Sequence, residues 1–329
     1  MSRGFAHLLA KSTATPNEPR PHERLDGHIL GVLAAARTLL HAAGHQLLGS
    51  FALPSRWLDV IEPAVARGAL LHDLGKANGQ FQRMVRGERA KTIQQALRHE
   101  WISLDILLQC PDLDNRLFPT TDAHSNEQKH FDDKLIRHAA ICAVVGHHLK
   151  PADVRDGSGQ ARIQVLVGHP DVDRLLQQAG LILRSDFVTP PPILSDYDID
   201  LTDSPRQCIN SWMLEADRSW RELPPEPKRV VALIKALVIA ADIAASVLPR
   251  RGIDPATWIQ GVLARACRRA PRRRLRRPCR LPVAQTSRSC CSERGRAPYR
   301  PCTRRAVHPT PPAPRCAIGG RRSGVLRMS

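Results

Sequence analysis

The sequence predicts a mainly α-helical protein followed by a basic segment without regular structure. Apolar residues recur at helical spacing over long runs, of which Leu25–Leu48 is the clearest. Strand patterns are few, and the best is I-Q-V-L-V at 163–167. Periodicity ends near Ala266. We therefore expect a flexible N-terminus (1–20), one helical domain (21–265) and a disordered Arg/Pro-rich tail (266–329).

The net charge of +18 is concentrated in that tail. Residues 266–329 contain 18 Arg, no Lys and one acid, Glu293, so they carry +17. The preceding residues are nearly neutral, and basicity of the whole chain says nothing about their surface.

Two interpretations of the tail remain open. Arg clusters neutralise phosphates, so the tail could be a nucleic-acid-binding arm. Its mixture of Arg, Pro, Ala and Cys is also that of out-of-frame translation of GC-rich DNA. We favour a frameshift product, because six of the nine cysteines lie there and a working arm rarely carries scattered, oxidisable thiols. Either way, truncation at Ala266 is expected to leave the melting temperature nearly unchanged.

Cysteine usage and the N-terminus predict a cytoplasmic protein. No C-x-x-C pair occurs, and no apolar run of secretory length opens the chain. The run Val230–Leu248 is long enough to suggest a membrane span. Lys235 and Asp242 within it would each cost roughly 3 kcal/mol at mid-bilayer. We therefore expect a buried helix and no membrane partner.

Six segments have helical periodicity, and the stretches between them are turn-rich or irregular. In chain order the helices are Leu25–Leu48, Val60–Leu71, Leu97–Cys110, Asp133–His148, Ser204–Arg221 and Glu226–Leu248. Residues 111–132 are interpreted as an insertion or loop, and residues 152–202 as the least regular part. Gly75 follows the second helix, where a C-cap favours positive φ.

Histidines and aspartates lie on the apolar stripes or at the ends of these helices. They are His28, His72, Asp73, His99, His147, His148 and Asp242. Taken singly, each has a structural explanation: a hydrogen-bonded core histidine, an exposed first turn, a frayed helix end, or an ion pair between Asp242 and Lys235. Taken together, neutral imidazoles and carboxylates suit a divalent transition metal, and a carboxylate can bridge two ions. Neighbours on a helix point about 100° apart, so His72 and Asp73 can converge only where the helix ends.

Several motifs around these residues resemble the HD-domain superfamily. They are H-D-L-G-K with a following F-Q, R-H-E-x-x-S, G-H-H and A-D-x-A-A-S. Within the superfamily they are most similar to the HD nuclease domain of the CRISPR-associated nuclease-helicase of type I systems. The resemblance covers roughly residues 20–250. The extended H-D-x-G-K-A-x-x-x-F-Q and the double histidine are specific, whereas a bare H-D is not.

The resemblance implies a helical, metal-dependent phosphodiesterase of antiviral defence that cleaves single-stranded DNA exposed by the RNA-guided CRISPR surveillance complex. It implies one ion at His28, His72, Asp73 and Asp242, and a second at His99, His147 and His148 with Asp73 bridging. Lys76 would lie near the scissile phosphate, so that Asp73 and Lys76 are the catalytic residues, and Ser246 would support Asp242. The expected cofactor is one or two divalent ions: Mn, Co, Ni, Fe, Zn or Mg.

Two departures from the family pattern keep alternatives open. The insertion at 111–132 lengthens the gap between His99 and His147, which leaves His124, His130 and His138 as rival ligands. The usual helicase half is absent from this sequence, so a separate helicase subunit is a candidate partner. The alternatives are an HD-type phosphohydrolase acting on nucleotides or signalling nucleotides, and an inactive truncated remnant.

Overall fold

A computed structural model describes residues 4–88, 97–120, 126–147, 162–183, 194–201 and 205–269, all within one compact unit. The described residues are mainly α-helical, which confirms the predicted fold class. Their helices are α1 (Leu25–Ser50), α2 (Leu58–Leu71), α3 (Gly79–Val85), α4 (His99–Gln109), α5 (Pro111–Leu117), α6 (Glu127–Gly146), α7 (Pro170–Leu183), α8 (Pro205–Glu222), α9 (Pro225–Val247) and α10 (Pro255–Arg269). Strands β1 (Arg162–Val165) and β2 (Tyr197–Asp200) pair antiparallel, with Ile163 opposite Ile199.

The core is a bundle in which α1, α2, α6 and α9 pack against one another. Each contributes an apolar face, which is removed from water on folding. Gly68 of α2 lies where three helices meet, since a Cβ there would be 3.3 Å from Val238 and 3.4 Å from Ala143. The small residue lets α2 approach both α6 and α9. The ends of α2 and α6 and the middle of α9 are thereby brought to one place.

Helix α9 contains the apolar run that was expected to form a buried helix. It extends into a 27-residue helical stretch, Pro225–Arg251, that by length and composition could cross a membrane. Val230, Ile234, Leu237, Val238 and Ala241 are nonetheless buried against the other helices of the bundle. The helix therefore serves as the central element of a protein core.

The N-terminal segment is not the flexible region that its composition suggested. Leu8 and Leu9 are fully buried, and the Leu8 amide donates to Asp171 Oδ2 at 2.8 Å. The Gln82 side chain accepts from the Leu9 amide and donates to the Leu9 carbonyl, both at 2.9 Å. The prediction failed because the apolar run is too short to show a period and its partners are distant in sequence.

Several predicted boundaries are also corrected. Helix α6 begins at Glu127, inside the supposed insertion, where the Asn126 side chain caps it by accepting from the Lys129 amide at 2.9 Å. Helices α3, α5, α7 and α10 were not predicted. The last three each begin at a proline, a residue that suits the first helical turn. Helix α10 runs to Arg269, beyond the expected boundary at 265. The rest of the tail lies outside the described residues.

Glycine is required at position 75 because the backbone of α4 approaches it closely, and not because its φ is positive. Among the described glycines, only Gly87 and Gly252 have positive φ. A Cβ at Gly75 would lie 2.0 Å from the His99 carbonyl oxygen and 2.5 Å from the Ser103 nitrogen. The Gly75 amide donates to Ser103 Oγ at 2.7 Å. The loop after α2 thus rests directly on the backbone of α4, which brings Asp73 beside His99.

We expect Gly75→Ala to lower the free energy of unfolding by about 1–3 kcal/mol or more, because backbone atoms of α4 must move to admit the methyl group. Gly49→Ala is the matched control. It lies on the exposed side of α1 with nothing within 4 Å of an added Cβ, and it should stabilise the helix by about 0.5–1 kcal/mol. Urea titrations of both variants measure the difference. Equal stability of the two variants would refute this packing account.

Candidate metal centre

At the end of α2 the backbone changes direction, so that two adjacent side chains point into one site. His72 retains helical backbone angles, whereas Asp73 leaves the helix at φ −115° and ψ 4°. His72 Nε2 then lies 3.3 Å from Asp73 Oδ2. The helix end thus removes the 100° divergence that a continuing helix would impose.

A first group of candidate ligands surrounds Asp73 Oδ2. His28, from the first turn of α1, places Nε2 at 3.1 Å from that oxygen and at 3.3 Å from Asp242 Oδ1 of α9. His72 Nε2 lies 3.8 Å from the same Asp242 oxygen. One ligand atom from each of the four residues lies within 4.8 Å of the others. Three helices therefore contribute to one cluster that could hold a metal ion.

A second group surrounds the other oxygen of Asp73. His99 Nε2, at the start of α4, lies 3.2 Å from Asp73 Oδ1, and His147 Nε2, at the end of α6, lies 3.8 Å from it. These atoms too lie within 4.8 Å of one another. His148, the further ligand implied by the resemblance, lies outside the described residues. Asp73 belongs to both groups, one oxygen to each.

Backbone contacts set the protonation of two of these imidazoles. His72 Nδ1 lies 2.8 Å from the Ala69 carbonyl oxygen, and His147 Nδ1 lies 2.6 Å from that of Val144. Only a protonated nitrogen can donate to a carbonyl, so each neutral ring turns its Nε2 lone pair towards the carboxylates. His72 Nε2 is buried and has no hydrogen-bond partner among the described residues. A lone pair facing two carboxylate oxygens calls for a cation between them, which a divalent ion would supply.

The electrostatics of the cluster also favour added positive charge. Burial alone lowers the pKa of His72, but the Asp73 and Asp242 carboxylates outweigh it and raise the pKa to about 10. Without a metal ion, a proton on Nε2 therefore supplies the positive charge between the carboxylates, and a divalent ion would displace that proton. Burial would raise the pKa of Asp73, yet Lys76 and His72 hold it well below its usual range. Both carboxylates are therefore ionised, Asp73 in a buried position and Asp242 in a partly exposed one.

Lys76 and Ser246 contact the two carboxylates of the cluster. Lys76 Nζ lies 2.5 Å from Asp73 Oδ2 and 5.4 Å from the centre of the Phe81 ring. Ser246 Oγ, one turn after Asp242 on α9, donates to Asp242 Oδ1 at 3.2 Å. Lys76 is thus paired with Asp73, and Ser246 is paired with Asp242.

The competing ion pair between Lys235 and Asp242 does not form in the described part of the chain. Lys235 Nζ instead lies beside Gly146, where an added Cβ would be 2.7 Å from it. This is the C-terminal end of α6, whose carbonyl groups attract a cation.

Other histidines lie away from both groups. His138 Nε2 contacts Cys142 Sγ at 3.5 Å, and neither ligand group includes His138 or His130. His124 lies outside the described residues. His41 and His45 of α1 are exposed and border a cavity of about 380 Å³ that none of the candidate ligands lines.

Pattern reasoning passed over two residues that support the centre. The buried Glu100 carboxylate lies 3.4 Å from His99 Nδ1 and 2.6 Å from Arg98 Nε, so it can orient the His99 ring. Asn78 caps α3 through the Phe81 amide and donates to the Gly75 carbonyl at 2.6 Å. The available signal was their position inside the R-H-E motif and the extended H-D-x-G-K-A-x-x-x-F-Q motif.

A model of the family described as Cas3, HD domain, matches residues 9–247 of this chain. The chain belongs to that family. It is also 32% identical over 280 residues to a protein of Myxococcus xanthus (strain DK1622) that bears the name CRISPR-associated nuclease/helicase Cas3. The match covers 82% of this chain and 35% of the relative, so the chain spans about a third of the relative's length. No solved structure matches it.

Membership in the Cas3 HD family gives the His/Asp cluster a chemical context. Domains of the HD class bind divalent metals, and the two groups around Asp73 have the matching donor set. Family and cluster together support an HD-type, metal-dependent hydrolase associated with CRISPR systems.

Proposed function

We propose that this Cas3 HD domain cleaves phosphodiester bonds of single-stranded DNA, using one or two divalent ions held around Asp73. The observation that carries the proposal is the shared carboxylate, with Oδ2 facing His28 and His72 and Oδ1 facing His99 and His147. A carboxylate with imidazoles on both oxygens suits a pair of cations. Nitrogen and oxygen donors favour Mn, Co, Ni, Fe or Zn over Mg.

The surrounding residues have distinct roles in this proposal. A divalent ion, when bound, supplies Lewis-acid stabilisation of phosphate oxygens and activates water for attack. The Ala69 and Val144 carbonyls hold His72 and His147 in the tautomer that leaves Nε2 free for coordination. Ser246 orients Asp242. Lys76 is paired with Asp73, and in this proposal it would instead contact an oxygen of the scissile phosphate once substrate is bound.

The preference for single strands rests on accessibility. A duplex holds its backbone in a stiff, paired geometry, and opening it requires a motor. No phosphate-binding G-x-x-x-x-G-K-[ST] occurs in the 329 residues, since Gly75-Lys76 is followed by Ala77. In this proposal the opened strand comes from an RNA-guided CRISPR complex or a separate motor subunit in the cytoplasm, in keeping with the name of the M. xanthus relative.

We expect the purified chain with Mn²⁺ or Ni²⁺ to cleave single-stranded oligonucleotides and displaced loops, to leave linear duplex largely intact, and to be indifferent to ATP. Gel analysis of end-labelled substrates with and without ATP measures this. ATP-stimulated processive degradation of duplex by this chain would refute it. Hydrolysis confined to mononucleotides or cyclic dinucleotides would instead favour the phosphohydrolase, and failure to bind any metal would favour an inactive remnant.

A further inference from the structure

The C-terminal part of α9 has an exposed apolar patch directly beside a candidate metal ligand. Ile243, the residue that follows Asp242, is 56% exposed, and Val247 is 45% exposed. Side chains four residues apart on a helix are neighbours, so Ile243 and Val247 form one patch. Because Asp242 and Ile243 are consecutive, their Cα atoms are about 3.8 Å apart. The patch is therefore part of the surroundings of the metal centre.

This patch adjoins the most open side of the metal centre. The Asp242 side chain is 25% exposed, whereas those of the other described candidate ligands are at most 9% exposed. Ser246, which donates to Asp242 Oδ1 at 3.2 Å, lies between the two patch residues in the chain. The patch and the exposed ligand thus share less than two turns of one helix. A substrate that approaches Asp242 from solvent comes within reach of Ile243.

A cation lies further along the same face of the helix. The helical stretch that contains α9 continues to Arg251, and Arg250 is exposed. Arg250 is seven residues after Ile243, so the two share a face and lie about 10 Å apart along the axis. Single exposed apolar residues are common on protein surfaces. Here, however, the apolar pair lies between a metal ligand and an arginine, an order that matches the phosphates and bases of a nucleic-acid strand.

We propose that Ile243 and Val247 form a binding surface for a base of the strand whose phosphate is held at the metal centre. The proposal rests on the phosphodiesterase function above and adds residues outside the metal-ligand set. The flat face of a base would cover the apolar patch, and Arg250 would contact a phosphate further along the strand. Every base has such a face, so the contact would be tolerant of sequence. In a duplex that face is stacked on its neighbours, so the surface would favour unpaired strands.

The test compares full-length wild type, Ile243→Ser, Ile243→Trp and Phe131→Ser. Phe131 is 38% exposed and lies on α6, about 24 Å along the helix from His147, so it controls for loss of an exposed apolar side chain. Two 12-nucleotide single strands are used, an oligothymidylate and a strand of the same length without bases. Fluorescence anisotropy in chelator measures binding without turnover, across several salt concentrations. Melting temperatures and molecular mass by light scattering are recorded in parallel.

We expect Ile243→Ser to weaken binding of the oligothymidylate about fivefold, the lower end of what loss of a base contact costs. The factor should be the same at every salt concentration, because the contact involves no phosphate charge. Ile243→Trp should strengthen binding by a similar factor, since a base stacks on an indole ring. All variants should bind the strand without bases as wild type does, and Phe131→Ser should resemble wild type on both strands.

Three results would overturn the proposal. One is equal binding of the oligothymidylate by Ile243→Ser and Phe131→Ser. Another is equal weakening of both strands in Ile243→Ser, which would indicate a change in the fold and not a lost base contact. The third is a wild-type dimer that Ile243→Ser abolishes, which would make the patch an interface between copies of the chain. Failure of the proposed function would appear differently, as absence of oligothymidylate cleavage by wild type with Mn²⁺.

Discussion

Asp73→Asn is expected to lose the metal and to reduce cleavage by about 10³-fold or more, since removing even one electrostatic group from an active site costs about 10²–10³-fold. The change is isosteric and removes the charge shared by both ligand groups. Helical content should be retained, because Asp73 lies after the end of α2 and caps no helix with its side chain. Metal per chain by mass spectrometry and cleavage of a single strand are the two measurements.

Asp105→Asn is the matched control for this substitution. Asp105 is another buried carboxylate, to which the Tyr197 hydroxyl donates at 2.9 Å, and an asparagine oxygen can keep that bond. Burial raises the pKa of Asp105, so loss of its charge is less costly. The control should bind metal and cleave as wild type does. Normal metal content in Asp73→Asn would rule out the assignment of Asp73 as the bridging ligand.

Removal of divalent ions is expected to lower the melting temperature by about 10 °C. An ion present at 1,000 times its dissociation constant stabilises the native state by about 4 kcal/mol, and each kcal/mol shifts the melting temperature of a domain this size by about 2–4 °C. The physical reason is that two carboxylates, the buried Asp73 and the partly buried Asp242, face the His72 ring with no ion between them once the metal is removed. Calorimetry before and after chelation, with Mn²⁺ restored as the reversal, provides the measurement.

The variant Lys235→Met tests whether Asp242 is a metal ligand or the ion-pair partner of Lys235. Lys235 lies beside Gly146 and makes no ion pair with Asp242, so its loss should cost less than chelation does. If Lys235→Met lowers the melting temperature more than chelation, the carboxylate depends on the lysine and the ligand assignment of Asp242 fails.

Local patterns in the sequence were sufficient to predict the helices that carry most ligands of the metal centre. The apolar stripe of α1 predicted that His28 faces inward, because side chains three and four residues apart share a helix face. The same patterns suggested that His72 and Asp73 could converge only at a helix end. These patterns could not decide whether His138 or His147 is the candidate ligand, because both belong to the same predicted helix. That choice depends on where α6 meets the loop after α2.

The sequence by itself thus determined the helical class, the Cas3 HD motifs and the set of candidate ligands, since these follow from neighbours along one helix or from short, specific patterns. Only the tertiary structure decided the rest. The burial of Leu8 and Leu9, the contact of Gly75 with α4 and the division of Asp73 between two histidine groups all depend on segments far apart in the chain. Periodicity records which face of a helix is apolar, but it carries no information on which distant face will cover it.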